Sequence, residues 1–334
     1  MKEQKSCVIC QVKNSEAYLP AFLARNAQLV DQVFLIDHNS NRDLRTMSRR
    51  NVTVIRSSIG LYALDLGINA LLSNLNLKKE FKWIFILDVD EFLPFENSSE
   101  IEQFFDLNET HGYIHMPWKN GILSDENQLE IHHDSVFQFS NYNSTVTKLA
   151  YNTDRTGEFW IRHGNHFVLR PLARFRDLFL GSRFTNTQTP LYHVPFLNPK
   201  YLRDKIETNP QSNFYRKIVQ GSSYLTNKYG ENWHQVALSD EDLFWFVHNY
   251  RIKKEKDQTA VKASDFSTTK PFHYLGKDIS FWSDYLTNCP EGRMVSETPQ
   301  EKRYLNKLRR SSCLYGRILK KHTSIDGEAC LRLV

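Results

Sequence analysis

The chain has no long apolar run. After Met1-Lys2-Glu3-Gln4-Lys5, the first hydrophobic stretch, Cys7 to Val12, is cut off by Lys13 and Asn14. That is too short for a secretory h-region, and no later segment reaches the apolar length of a membrane-crossing helix. A cytoplasmic protein is expected. Cysteine is scarce: Cys7, Cys10, Cys289, Cys313 and Cys330 form an odd, scattered set that argues against a disulfide framework. The pair Cys7 and Cys10 makes a C-x-x-C, but in a predicted strand residues three apart face opposite ways, so buried structural thiols are expected instead of a redox or zinc pair. A Gly-rich phosphate loop, internal repeats and low-complexity runs are also missing. Neither sign of charge is in marked excess. Lys and Arg total 43 against 38 Asp and Glu, a net +5, which suits an anionic ligand or surface without indicating nucleic acid.

What is present is an ordinary globular composition, with 40% hydrophobic and 24% charged residues over 334 positions. That is enough for one large α/β domain with an appendage or for two modest domains. Short apolar runs read as strands at Ser6 to Val12, Val33 to Ile36, Val52 to Ile55 and Trp83 to Leu87. Helical spacing links Leu19, Phe22, Leu23 and Ala27, and again Leu64, Ile68, Leu71 and Leu72. Continuous apolar strands alternating with helices imply a mostly parallel, Rossmann-like central sheet covered on both faces. Ligands in such sheets bind beyond the carboxyl ends of the strands. Here those ends are Lys13-Asn14, Asp37 to Ser40, Arg56 to Ser58 and Asp88 to Glu91, all polar. From Gly112 to Arg170 strand-like pieces (Tyr113 to Trp118, Val136 to Phe139, His166 to Arg170) alternate with polar loops. From Pro199 onward helices dominate, clearest at Phe214 to Tyr229, Asp240 to Tyr250 and Gln300 to Lys321. The expected division is a catalytic domain over 1–198 and a helical C-terminal extension over 199–334.

The segment Asp88-Val89-Asp90-Glu91-Phe92 carries the most chemistry. Three carboxylates directly after a buried strand need a cation, a basic partner or water. In an extended conformation Asp88 and Asp90 project to the same side, and two oxygen ligands suit Mg²⁺ or Mn²⁺ with room left for phosphate oxygens. A divalent cation so held neutralises the charge that builds on a departing diphosphate, as happens when a nucleotide-activated sugar reacts.

With these residues in place the chain resembles the glycosyltransferase family 2-like proteins of GT-A fold, in the branch with a D-x-D-E-F motif. The resemblance spans roughly residues 6 to 225. It rests on Lys13-Asn14-Ser15-Glu16 with Tyr18-Leu19, on Asp37-His38-Asn39-Ser40-Asn41-Arg42-Asp43, on Asp88 to Phe92, and on Gly164-Asn165-His166, Leu191-Tyr192-His193-Val194-Pro195 and Lys217 to Gly221. It implies that Lys13, Asn14 and Glu16 lie by the nucleotide and that Asp37 binds base or ribose, with Asn39 and Ser40 shaping the turn. It also implies that Asp88 and Asp90 handle metal and diphosphate, with His166 as the third metal ligand or a diphosphate contact. The implied activity is inverting transfer of a sugar, from a UDP-sugar by preference, to a hydroxyl of a glycan or lipid-linked acceptor.

Such a transfer needs a carboxylate base. Asp154 and Glu158 lie in a polar loop just before Gly164-x-His166, with Glu158 preferred, while Glu91 serves either there or behind the metal ligands. Asp240-Glu241-Asp242 competes, but Ser239 with Asp242 reads as a helix capping box. Trp118 and Trp160 are the aromatic candidates for stacking on a sugar. At the end of the chain, Thr298-Pro299-Gln300-Glu301 opens a helix whose basic residues and apolar stripe suit peripheral contact with an anionic inner-membrane face, beside a membrane-bound acceptor. The competing readings are a nucleotidyltransferase or metal-dependent phosphohydrolase, and a non-catalytic nucleotide- or carbohydrate-binding protein.

Overall fold

The structure is a computed structural model that describes residues 5–15, 17–38, 40–49, 51–56, 68–69, 71–72, 77–123, 137–141, 143–144, 146–156, 160–162, 165, 167–169, 184–195, 223–230, 239, 241–242 and 266–268. Among these the chain forms two compact units. The first takes the described residues up to 116 and from 148 to 187, and the second those from 117 to 147 and from 188 to 268. The boundary expected at residue 198 falls outside the described residues, as do the terminal helix at 300–321 and most of the helical extension.

The first unit is built on parallel strands. β1 (Ser6–Val12) lies between β2 (Gln32–Asp37) and β4 (Trp83–Asp88), and β3 (Val52–Arg56) flanks β2, all four parallel. The expected runs are observed almost residue for residue, because each is a block of apolar and β-branched side chains buried on both faces. One face holds Cys7, Ile9, Phe34, Ile36, Ile84 and Ile86 in a core shared with Leu71, Leu77 and Phe81. On the other face Trp83 stacks on Phe105 at 4.7 Å between ring centroids, and Phe85 meets Phe104 and Phe105. Cys7 and Cys10 are both fully buried free thiols, and burial is the first cause pushing each well above the usual thiol range. They are packing residues, as their spacing suggested.

The helix after β1 and the helix over Ser98–Leu107 cover the Phe85 side. α1 (Leu19–Leu29) starts with Pro20 in its first turn, where a missing amide costs nothing. A short α2 (Leu77–Glu80) leads into β4. After β4 come the two-residue β5 (Glu91–Phe92) and α3 (Ser98–Leu107). Asn97 caps α3 by accepting from the Glu100 amide at 3.0 Å, and Glu100 reaches back to the Glu96 amide at 2.9 Å.

Across β4 the chain direction reverses. β6 (Tyr113–Leu123), β7 (Phe137–Ser140) and β8 (Thr147–Asn152) follow, and β8 runs antiparallel to β4 with Trp83 opposite Asn152 and Phe85 opposite Ala150. The strand order in this unit is β6-β8-β4-β1-β2-β3. The hairpin of β9 (Trp160–Arg162) and β10 (Phe167–Leu169) stands apart, and β11 (Phe184–Asn186) pairs parallel with β6. In the second unit, β12 (Leu191–His193) pairs with the later part of β6 and β13 (Phe266–Thr268) with β7. A Cβ at Gly121 would stand 2.5 Å from the Phe139 ring, so this β6 position needs glycine for its neighbour to pack. α4 (Ser223–Tyr229) completes the second unit.

Candidate functional site

Strand order fixes where a ligand would go. The chain lays down β1, β2 and β3 in one direction and then returns to place β4 on the other side of β1. In sheets with this reversal a ligand binds beyond the carboxyl ends of the strands that flank it, here β1 and β4. By register Gln11 stands beside Asp88, so Lys13 and Asn14 leave one strand next to the acidic turn that ends the other.

The β1 and β2 ends are latched together. The Asn14 amide donates to Ser40 Oγ at 3.0 Å, and Asn14 Oδ1 accepts from the Asn41 amide at 2.8 Å. This requires Asn14 to sit at φ 48°, a left-handed conformation that asparagine tolerates better than most residues. The His38 amide donates to the Val12 carbonyl at 2.8 Å, extending the ladder one step past both strands. Asp37 is fully buried: its Oδ1 accepts from the Ser40 amide at 2.9 Å, and Arg56 Nε lies 4.0 Å from its Oδ2. Oδ2 has no hydrogen-bond partner among the described residues. Burial holds the Asp37 carboxyl above its usual range, with the Ser40 hydrogen bonds and Arg56 pulling the other way. A buried acceptor of this kind suits a ligand N–H or hydroxyl. Asp43 is structural, since it caps the 3-10 turn Leu44–Met47 and holds Arg45 through both carboxylate oxygens.

The acidic turn departs from the expectation in one respect. β4 ends at Asp88, and Val89-Asp90 form a turn, so strand alternation does not determine where Asp88 and Asp90 point. Asp88 is 54% exposed, Asp90 half-buried and Glu91 fully buried. Glu91 folds back under the turn, where its Oε2 accepts from the Asp88 amide at 2.8 Å. A residue the sequence reading missed meets both acids. Lys148 on β8 is 2% exposed and donates to Asp88 Oδ2 at 2.7 Å, with Glu91 Oε1 at 3.3 Å. Burial pushes the Glu91 carboxyl well above its usual range although Lys148 pulls it down. Burial would lower the Lys148 ammonium, but Asp88 and Glu91 together hold it above the usual lysine value.

α1 grips the strand that leaves the turn. Arg25, fully buried, donates through Nε to the Leu93 carbonyl at 2.8 Å and through Nη2 to the Phe95 carbonyl at 2.9 Å. Asn26 Oδ1 accepts from the Leu93 amide at 3.1 Å, while its Nδ2 stands 3.4 Å from the Glu91 carbonyl. On the other side, Asn165 is fully buried at φ 69° and donates through Nδ2 to both the Ile86 and Leu149 carbonyls, at 3.0 and 2.9 Å. Its Oδ1 accepts from Tyr151 Oη.

The structure therefore brings together Lys13, Asn14, Asp37, Ser40, Asp88, Asp90 and Glu91 of the expected set. It does not bring Asp154 there. That residue is exposed in the turn after β8, and because β8 runs against β4 the turn lies at the opposite end of β4, where the Thr153 amide bonds the Lys82 carbonyl. Its nearness in sequence to Gly164-x-His166 was the misleading signal. Glu91 is committed within the turn, its Oε2 to the Asp88 amide and its Oε1 beside Lys148, so it braces Asp88. Trp118 is 2% exposed and stacked on His193 at 3.9 Å between ring centroids, so it is core and not a sugar platform. Glu16, Asn39, Glu158 and His166 lie outside the described residues, as does the side chain of Trp160. Among the described residues no cluster of three or more His, Cys, Asp or Glu could hold a metal ion, and no helix is long and apolar enough to cross a membrane.

The fold and site define an α/β protein with a polar ligand edge at the β1/β4 switch point. No family model matches the sequence, and no curated protein does. Among solved structures, the chain is similar to the crystal structure of S. aureus TarS, at 13% identity and a TM-score of 0.33 over 75% of this chain and 44% of that one. A structure of S. aureus TarS 1-349 aligns over 98% of this chain and 88% of its own at 11% identity and a TM-score of 0.32. Similarity at this level adds nothing to what the strand order and the acidic turn establish.

Proposed function

We propose that the chain is a glycosyltransferase that takes a nucleotide-activated sugar, a UDP-sugar by preference, and passes the sugar with inversion to a hydroxyl of a glycan or lipid-linked acceptor. The observation that carries this reading is the convergence at one switch point of two kinds of group. One is a buried carboxylate acceptor, Asp37, in a turn latched to Asn14. The other is a braced acidic turn, Asp88 to Glu91. The first suits the base or ribose of a nucleotide, and the second suits the diphosphate end.

A divalent cation, Mn²⁺ or Mg²⁺, fits the second group. Among the described residues Lys148 meets Asp88 and Glu91, while the Asp88 side chain stays 54% exposed and Asp90 half-buried, which leaves carboxylate oxygen at the surface of the turn for a hard cation. Asp88 and Asp90 would hold the ion, with His166 as the third ligand in this reading. Once bound, it supplies charge neutralisation to the departing diphosphate. The chain's own residues do the rest: Asp37 and the Ser40 turn orient the nucleoside, and Lys148 and Glu91 keep the acidic turn in shape. The acceptor proton goes to Glu158, in the polar stretch that precedes Gly164-Asn165-His166 in the sequence.

Calorimetry with UDP and Mn²⁺, followed by a donor-hydrolysis screen over UDP-, GDP-, CMP- and dTDP-sugars, tests the proposal. Binding of UDP with turnover of one donor is the expected result, and binding without turnover would favour a non-catalytic binding protein. Asp90→Asn is expected to abolish turnover while leaving the circular dichroism spectrum unchanged. An active variant would remove Asp90 from the mechanism.

A further inference from the structure

Lys148 is a costly residue in this place. It stands on a strand buried on both faces, 2% exposed, and its ammonium lies between one carboxylate that is fully buried and one that is 54% exposed. Neutralising Glu91 would be reason enough for a buried cation. The geometry says more than that. The ammonium is closer to the exposed carboxylate than to the buried one, 2.7 Å against 3.3 Å, and of these two contacts the one to Asp88 is a formed hydrogen bond and the one to Glu91 is not. Glu91 is itself directed at Asp88, through the backbone amide. Both buried groups thus converge on the exposed residue.

The strands that carry them are held at a fixed spacing. The β4–β8 pairing stops at Phe85 and Ala150. At the next positions the Asn165 carboxamide takes over, bonding the Ile86 and Leu149 carbonyls at once. The tie falls two residues before Asp88 on one strand and one residue after Lys148 on the other.

We propose that Lys148 is a positioning residue for the donor site: by holding Asp88 Oδ2 from below, it pre-sets the carboxylate so that Oδ1 is presented to the nucleotide diphosphate and its cation. The ammonium is too buried to touch a ligand and acts only through Asp88. An exposed aspartate would otherwise sample several rotamers, and the cost of fixing one would be charged to ligand binding. This inference rests on the reading of the acidic turn as the diphosphate end of a donor site.

The test is a double-mutant cycle read as UDP affinity in the presence of Mn²⁺, by calorimetry. Lys148→Met alone leaves Glu91 buried without its cation and risks the fold, so the background used is K148M/E91Q, which removes both buried charges together. Its folding is checked by circular dichroism and melting temperature. K148M/E91Q is expected to bind UDP roughly tenfold more weakly than wild type, the scale of one charge-assisted contact. Asp88→Asn is expected to cost about tenfold in wild type but less than about threefold in K148M/E91Q, because Asp88 is no longer held there. K148R, which keeps a cation, is expected to recover part of the affinity. Equal losses from Asp88→Asn in both backgrounds, or wild-type affinity in folded K148M/E91Q, would overturn the inference alone. Failure of the wild-type protein to bind UDP with Mn²⁺ would overturn the donor-site reading and this inference with it.

Discussion

Asp242 shows how a single carboxylate can be committed entirely to structure. It is fully buried and accepts from Lys228 Nζ at 2.8 Å, Tyr229 Oη at 2.6 Å, Ser239 Oγ at 2.7 Å and the Ser239 amide at 2.8 Å. Ser239 Oγ returns the favour by accepting from the Asp242 amide at 3.2 Å, which completes the capping box legible in the sequence and disposes of Asp242 as a catalytic base. Burial alone would raise its pKa, but the hydrogen bonds from Lys228, Tyr229 and Ser239 outweigh it and hold the group at about 2. A carboxylate depressed in the folded state contributes stability that is present above its unfolded value, near 4, and is lost as pH falls through about 2. The contribution is about 2 kcal/mol. In urea titrations at a series of pH values, Asp242→Asn should therefore sit about 2 kcal/mol below wild type at pH 6, and the gap should close between pH 4 and pH 2. A gap that stays constant to pH 2 would mean the loss is packing and not charge. Lys148 is the opposite case for legibility. In Thr-Lys-Leu-Ala-Tyr-Asn the lysine stands at the edge of a three-residue apolar run and reads as a solvated position, and nothing local says that both faces are covered.

At the scale of elements, the two sides of the acidic turn differ in how they are held. α1 holds the outgoing chain through Arg25 and Asn26, two consecutive polar residues buried on a helix whose other buried positions are apolar. Asn165 holds the incoming side by standing in for a missing rung between β4 and β8. Its left-handed backbone and its two bonds make separable contributions. Asn165→Ala strips the donor from two buried carbonyls and places a Cβ-bearing residue with no compensating side chain at φ 69°, for a loss of about 3 kcal/mol. Asn165→Gly removes the backbone term and should recover about 1 kcal/mol of it. Urea midpoints of the two variants check this, and equal destabilisation by Ala and Gly would deny any strain at the position. The parallel strands were readable because each is a continuous apolar block, and that pattern has few alternatives. β8 was not, since its Lys148 and Asn152 break the block. α3 was missed although its signal was present: Asn97 as cap, Glu100 three residues on, and Ile101, Phe104 and Phe105 on one side.

For the whole molecule, the strand order brings the ends of four parallel strands to one edge, and this is why the edge that carries the candidate site was legible in the sequence. The residues that shape it could not, because Lys148, Asn165 and Arg25 come from segments whose partners lie 60, 79 and 68 positions away. The remaining question at this scale is where the acceptor comes from. The run Lys302, Arg303, Lys307, Arg309, Arg310, Arg317, Lys320 and Lys321, with Leu305, Leu308, Tyr315, Ile318 and Leu319 interspersed, lies outside the described residues, and its composition alone supports attraction to an anionic surface. The net charge of the chain is only +5, so attraction by the body as a whole would be weak, and a concentrated run is needed to bind at all. Each Lys or Arg near an anionic leaflet contributes about 1 kcal/mol, and the effect fades within about 10 Å at 0.1 M salt. Wild-type protein should therefore float with phosphatidylserine-containing vesicles at low salt and be released at about 0.5 M, where screening is nearly complete at contact distances. A variant with those eight residues changed to Gln should stay at the bottom of the gradient under both conditions. Equal flotation of the two proteins would dismiss the basic run as the membrane contact, and wild-type flotation that survives high salt would assign the binding to the apolar residues instead.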